Sequence, residues 1–227
     1  MTREQANEAF IRAFQQRAGV TVDGWAGSET HAALNRLIAA PVSLAYDVTE
    51  RVALELLHHE AIVREAYKDS VGVWAWGVGV TNASGHEVYP RYKDNPQSLE
   101  RVLEIFVWLL KTKYGPDVKA AFGGRDLTEE QFAAALSFHY NTGAIGVADW
   151  VDTWLSGQVD KARAEIMNWR KPASIIGRRT AERDLFFSGV WSQTGLTTEY
   201  PVAKPSYAPK WSGAKKIDVR EALRSVL

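Results

Sequence analysis

Residues 71–81, VGVWAWGVGVT, constrain the fold more than any other stretch of the chain. Valine and tryptophan dominate the run, and Gly72, Gly77 and Gly79 interrupt it. β-Branched and aromatic residues suit a pleated, half-buried strand. Glycine inside such a strand marks a bulge, or a place where a ligand or another backbone comes close. A tight hairpin is therefore expected here. It continues through the turn cluster Asn82-Ala83-Ser84-Gly85 to Tyr92.

Nearly everything around the hairpin reads as helix. Asp47-Val48-Thr49-Glu50 has the form of a capping box, and it opens a helix that leads to Glu60. Leu99, Val102, Leu103, Phe106, Leu109 and Leu110 recur at helical spacing, in a stripe expected to end near Gly115-Pro116. Thr128 to Gln131 forms a second capping box, and its helix, with Phe132, Leu136 and Tyr140 as core, stops at Asn141-Thr142-Gly143. Helices over about 144–156 and 158–168 follow. The class is α+β, mostly helical, with one small β-hairpin lobe.

With 227 residues, 46% hydrophobic and 24% charged, the chain can bury a core and still carry a small extra module. It has no cysteine, which excludes disulfides and thiolate metal sites. A formal net charge of zero gives no general attraction to nucleic acid, and no nucleic-acid partner is expected. The opening MTREQANEAF lacks a basic-then-apolar leader, and no apolar run approaches the roughly 18 residues of a membrane span. The expectation is synthesis in the cytoplasm, with outside help for any export. Nine tryptophans suit sugar stacking, although packing alone explains most such residues.

Glu60 and Asp69 stand nine positions apart, just ahead of the hairpin. Glycoside hydrolysis commonly places one carboxyl group on each side of the bond. On one unbroken helix the two would lie roughly 13 Å apart at about 1.5 Å per residue. Inverting glycosidases hold theirs about 6.5–9.5 Å apart. The chemistry therefore requires the helix to stop near Glu60, and neither proline nor glycine lies between the acids to enforce that. Two exposed helical acids remain the alternative on residue types alone. The five histidines, including His58 and His59 beside Glu60, show no metal-ligand spacing, so neither metal nor cofactor is expected.

Glu60, then Tyr67-Lys68-Asp69, then Gly72 and Gly77-Val78-Gly79, together resemble the phage-type lysozymes, or endolysins. The resemblance implies a lysozyme-like, two-lobed domain whose lobes are joined by a long helix. It implies Glu60 as general acid and Asp69 as the aspartate that positions water. The reaction implied is hydrolysis, with inversion, of the β-1,4 bond between N-acetylmuramic acid and N-acetylglucosamine. Where the family has a threonine this chain has Ala75, and Val80 stands where many members carry histidine. Alanine neither donates nor accepts a hydrogen bond, so slow turnover is expected, with Thr81 as a distant substitute. Ile176-Gly177-Arg178-Arg179 through Glu182 is a second family marker, with Arg178 where members place an arginine that reaches the glutamate. Trp74 and Trp76 as apolar walls, with His139 and Asn141, complete the implied site.

Near the start, Phe14-Gln15, Val22-Asp23-Gly24-Trp25-Ala26-Gly27 and Thr30 resemble the peptidoglycan-binding module of wall hydrolases. That likeness implies wall contacts at Phe14, Asp23, Gly24, Trp25 and Thr30. The module's first helix has no counterpart, which implies weaker binding. The expected organisation is a module over 1–40, a linker over 41–46 and a catalytic domain over 47–200. A Pro-rich strap with a short helix then fills 201–227. From Lys204 onward six basic residues face two acidic ones, so this tail either docks on the body or touches anionic envelope lipid. The whole reads as a monomeric endolysin, released to the wall by a holin-type route for host lysis. Two alternatives stay open: a wall-binding protein with a silent centre, and a lytic transglycosylase, which needs one acid and no water.

Overall fold

The computed structural model describes residues 2–39 and 47–227, with the backbone path alone for 32 and 35–39. The linker expected over 41–46 lies outside the described residues. The chain divides into two compact units, residues 1–44 and 45–227.

The first unit is a helical pair, α1 (Arg3–Ala18) and α2 (Ser28–Ala39). Thr2 and Gln5 cap α1 reciprocally, and Gly19, at φ 66°, closes it in the left-handed conformation that glycine adopts freely. One buried amide organises the loop between the helices. Gln15 Nε2 donates to Asp23 Oδ1 at 2.7 Å, to the Trp25 carbonyl at 2.9 Å and to Thr30 Oγ1 at 2.9 Å. Its Oε1 accepts from the amides of Asp23 and Gly24.

The second unit opens with α3 (Glu50–His59), β1 (Ala61–Lys68), β2 (Trp74–Gly77) and β3 (Val80–Thr81). The cap of α3 is Thr49, whose side chain accepts from the Val52 amide, and not Asp47 as the spacing suggested. Beyond the hairpin come α4 (Leu99–Leu109), a π-helical turn (Leu110–Tyr114) and α5 (Gly115–Ala121). The expected stop at Gly115-Pro116 therefore does not occur. Proline lacks the amide that an α-helix would use, and the chain widens into the π-turn one residue before it, the Gly115 amide reaching Leu110 O. A Cβ at Gly115 would sit 2.8 Å from that same carbonyl, so only glycine fits.

The helical lobe then runs through α6 (Glu129–Thr142), α7 (Asp149–Leu155), α8 (Val159–Glu165) and α9 (Ile176–Ser188). The Thr128–Gln131 capping box opens α6, and Gly143 closes it. Phe122, Phe138, Trp150 and Phe186 interlock edge-to-face in its core. Each such side chain contributes roughly 1.5–3 kcal/mol on burial.

The sheet is larger than a hairpin. Strands β4 (Leu196–Glu199) and β5 (Lys215–Asp218) extend it to five, in the order β3-β2-β1-β4-β5. Strand β4 lies parallel to β1, pairing Ala61 with Thr198 and Ile62 with Glu199. The last helix, α10 (Arg220–Arg224), follows β5, and Val219 and Leu223 are buried in the common core. The C-terminal residues thus supply part of the sheet and part of the core.

Candidate active site

Glu60 is the first residue off α3, with φ −110° and ψ 167°, and β1 starts at the next position. The helix does stop where the chemistry requires. A straight strand at about 3.4 Å per residue would nonetheless carry Asp69 roughly 30 Å from Glu60. An irregularity prevents this. Val63 faces Gly77 and Tyr67 faces Ala75, so four steps along β1 match two along β2. The surplus bulges, bending the strand. Its backbone groups find partners elsewhere: Arg64 O accepts from the Gln97 amide and from Trp76 Nε1, both at 2.9 Å, and the Ala66 amide donates to Tyr92 O. Both carboxylates then act on a single phenol. Burial, followed by the charges of Glu60 and Asp69, pushes Tyr67 up to about 12.

At the Glu60 end, Arg178 Nη1 donates to Glu60 Oε1 at 2.5 Å. The Arg178 guanidinium also donates to Glu182 Oε1 at 2.9 Å and to the Ser137 carbonyl at 3.0 Å. Glu182 accepts from Ser137 Oγ and from Arg179, and Arg179 reaches Asn141 Oδ1 at 2.8 Å and the Trp169 carbonyl at 3.0 Å. Two acids and two arginines alternate along this chain of bonds. Burial acts to lower the Arg178 pKa, but the Glu60 and Glu182 carboxylates outweigh it and leave it raised. For Arg179 burial prevails and the pKa is lowered.

At the other end, Asp69 Oδ1 accepts from the amides of Val71 at 3.0 Å and Val73 at 2.8 Å. The backbone closes the same turn through Asp69 N to Val73 O and Gly72 N to Asp69 O. Gly72, at φ 83°, is the residue that permits it. The turn fixes one of the two carboxylate oxygens.

Ala75 is buried between Tyr67 on β1 and Thr81 on β3, in register with both. Thr81 is therefore its immediate cross-strand neighbour rather than a distant substitute, with Cβ atoms about 4.5–5.5 Å apart in such pairs. The Thr81 hydroxyl lies 3.5 Å from Ser84 Oγ. Alternation along β2 turns Trp74 and Trp76 to the face opposite Ala75. Trp76 stacks on Tyr92 at 4.0 Å and Trp74 on Tyr89 at 4.8 Å, so neither forms the wall expected of it.

Three tyrosines, Tyr67, Tyr114 and Tyr140, feel the Glu60 charge instead. Tyr140, expected simply as core, donates to Val78 O in the Gly77–Gly79 turn. Tyr114, brought in by the π-turn, lies 4.8 Å from the Tyr140 ring. Burial, with the Glu60 carboxylate second for Tyr140, raises the pKa of both, so they stay protonated near neutral pH. The motif Tyr67-Lys68-Asp69 pointed to one of the three tyrosines, and no local signal marked the others. His139 bonds Asp117 at 3.1 Å, and Asn141 bonds Arg179, which is linked to Glu60 through Glu182 and Arg178.

The family model for phage lysozyme matches residues 57–182, more than half of the chain and all of the network just described. The chain belongs to the phage lysozyme family. A crystal structure of a P22 lysozyme mutant superposes with a TM-score of 0.52 at 21% identity, covering 63% of this chain and 99% of that one, which shows the fold. An endolysin from Escherichia coli O157:H7 phage FAHEc1 matches at 20% identity, 63% and 95% coverage and a TM-score of 0.49. The muramidase domain of SpmX from Asticaccaulis excentricus matches at 25% identity, 61% and 96% coverage and 0.47. No curated protein sequence matches. As a phage lysozyme, the protein is a glycoside hydrolase of the muramidase type with a peptidoglycan-hydrolysing function. The family match ends at Glu182 and begins after α2, so the first unit and β4, β5 and α10 lie outside it.

Proposed function

We propose that this phage lysozyme cuts the β-1,4 bond between N-acetylmuramic acid and N-acetylglucosamine with inversion, at a rate lowered by Ala75. The carrying observation is the contrast around the two acids. Glu60 meets Arg178 at 2.5 Å, whereas Asp69 has one oxygen fixed by two amides. Glu60 protonates the leaving oxygen, and Arg178 receives the carboxylate that results. Asp69 orients the water for a single displacement from the opposite face. The neutral phenols of Tyr67, Tyr114 and Tyr140 feel the Glu60 charge without adding any of their own.

Ala75 removes the second hand on that water. Thr81 brings a hydroxyl beside it, one strand further out. An ordinary hydrogen bond of about 0.5–1.5 kcal/mol corresponds to roughly twofold to tenfold in rate, and a preorganised catalytic one to about 100-fold or more. Purified peptidoglycan is digested with the parent chain, Ala75→Thr and Glu60→Gln, and the released muropeptides are weighed. Ala75→Thr is expected to be several-fold faster than the parent, both releasing products with reducing rather than anhydro ends, and Glu60→Gln to be inactive. Anhydro ends would replace the hydrolase reading with a transglycosylase. The buried alanine also favours a second reading, a wall-binding protein with a silent centre. Retention of the parent on sacculi without product, unchanged by Ala75→Thr, would establish it.

The first unit serves as the wall-binding module. Trp25 and Phe10 are 74% and 75% exposed and offer their rings to the polymer. Phe14 is half-buried, and Asp23, Gly24 and Thr30 act by holding the loop on Gln15. Two linked sites on one polymer raise the effective affinity without new contacts at either. The biological role that fits is that of a modular endolysin, acting in host lysis after holin-type release to the periplasm.

A further inference from the structure

We propose that the C-terminal arm, residues 192–210, is a splint for β1 that sets the spacing of the two carboxylates, with Thr197 as the positioning residue for Glu60. The proposal rests on reading Glu60 and Asp69 as the catalytic pair. The arm lies beyond the family match, so the family likeness does not account for it.

The arm first anchors on α3, one turn before Glu60. The amides of Ser192 and Gln193 donate to Glu55 Oε2 at 3.1 and 3.0 Å. The buried Thr197 hydroxyl then donates to the carbonyl of Glu60 itself at 2.7 Å. From there the arm follows β1. Tyr200 N donates to Ile62 O at 2.9 Å, Arg64 Nε donates to Glu199 Oε1 at 2.5 Å, and Lys204 binds Glu65. At the far end Lys68 N donates to Tyr207 O at 2.8 Å, and Lys68 is the residue before Asp69. The arm therefore bonds β1 next to each acid and at three places between them.

The strand needs this second support. Its bulge interrupts the ladder with β2, and a bulged strand bends where its pairing lapses. Backbone strain marks the far anchor. Among the described residues, Asp94 at φ 54° and Tyr207 at φ 60° are the two non-glycine residues in the left-handed region. They are bonded to each other, Tyr207 OH donating to Asp94 Oδ2 at 2.9 Å, and Lys204 Nζ reaches the same carboxylate at 2.5 Å. A bulky residue adopts that conformation rarely, and such strain persists only where the surroundings over-determine it. Here the Trp74 ring, 5.2 Å from Tyr207, and the Asp94 bonds hold the Tyr207 carbonyl toward Lys68.

The test measures kcat and KM on purified peptidoglycan for Thr197→Val, Thr197→Ser and Glu60→Gln, in the parent chain and in its Ala75→Thr form. Thr197→Val is expected to lower kcat about tenfold at unchanged KM, while Thr197→Ser stays within about twofold. Parental kcat in Thr197→Val, or no rescue by serine, overturns the splint while a dead Glu60→Gln leaves the catalytic reading standing. Full activity in Glu60→Gln overturns the catalytic reading and the splint with it. Should Thr197→Val fail to fold, the double variant Lys204→Met, Tyr207→Phe loosens the far anchor away from the core. A several-fold fall in kcat at unchanged KM supports the proposal, and an unchanged kcat overturns it. Amide hydrogen exchange gives a reading independent of activity: Lys68 and Tyr200 exchange slowly if the arm is bonded to β1, and free-peptide rates overturn the proposal.

Discussion

Glu60 is held by residues more than a hundred positions away, through Arg178, Glu182 and Thr197. Asp69 is held by amides two and four positions away, at the surface, in a turn that its own side chain organises. The first arrangement is part of the fold's interior. Disturbing it leaves buried charges unpaired, which costs several kcal/mol. The second is a local device that water already reaches. The acid end and the water end should therefore fail differently: damage near Glu60 should appear in stability, and damage at Asp69 in rate alone.

The sharpest way to break this contrast is Glu182→Ala, which leaves Arg179 in the interior without its carboxylate and Arg178 with Glu60 alone. A loss of about 3–5 kcal/mol is expected, or on the order of 10 °C in melting temperature for a unit of this size. A melting temperature near the parental value would show that the network is not the structural anchor claimed for it. Asp69→Asn comes next. Its amide oxygen can still accept from Val71 and Val73, so the melting temperature should hold, while loss of the carboxylate lowers the rate about 100-fold or more. A variant that unfolds as readily as Glu182→Ala would erase the distinction between the two ends.

The smallest effect concerns pH. Glu55 lies on α3 one turn before Glu60, and burial by itself would raise its pKa. Bonds from His59, from the Ser192 hydroxyl and from the amides of Gln193 and Ser192 outweigh burial and leave it lowered from 4.5. A carboxyl group with a lowered folded value stabilises the fold above its unfolded pKa, and that contribution disappears as pH falls through the folded value. Thermal stability should therefore fall in acid below about pH 4.5. Glu55→Gln should be less stable than the parent at neutral pH and show a flatter acid limb. Parallel curves for the two proteins would remove Glu55 from the account of how the Glu60 end is fastened.

The features legible in the sequence were those fixed by neighbours in the chain. The left-handed glycine after α1, the Thr128 capping box and the stripe of α4 need only local geometry and a period of 3.6. The motif likeness pointed to Glu60, Asp69 and Arg178, and Arg178 does bond Glu60. Choosing Thr49 over Asp47 as cap was beyond the pattern, because both residue types can cap and only the backbone path selects between them. Gly115-Pro116 looked like a stop, since the pattern has no way to show that a π-turn can dispense with proline's missing amide. The tryptophan walls failed for a different reason: alternation says that two faces differ, and not which face meets the cleft.

By itself, then, the chain's order of residues determined a mostly helical protein with a glycine-punctuated hairpin, two acids ahead of it, and a turn that aims Asp69. Hydrogen bonds over two to four positions and hydrophobic periodicity are enough for that. Tertiary structure decided that the helix ends at Glu60, where no helix-breaking residue stands. It also decided that three tyrosines come under the influence of Glu60 and that β4 arrives from 137 positions away to bond the Glu60 carbonyl. Backbone groups leaving a helix must find partners, and in this protein those partners come from parts of the chain that only folding brings near.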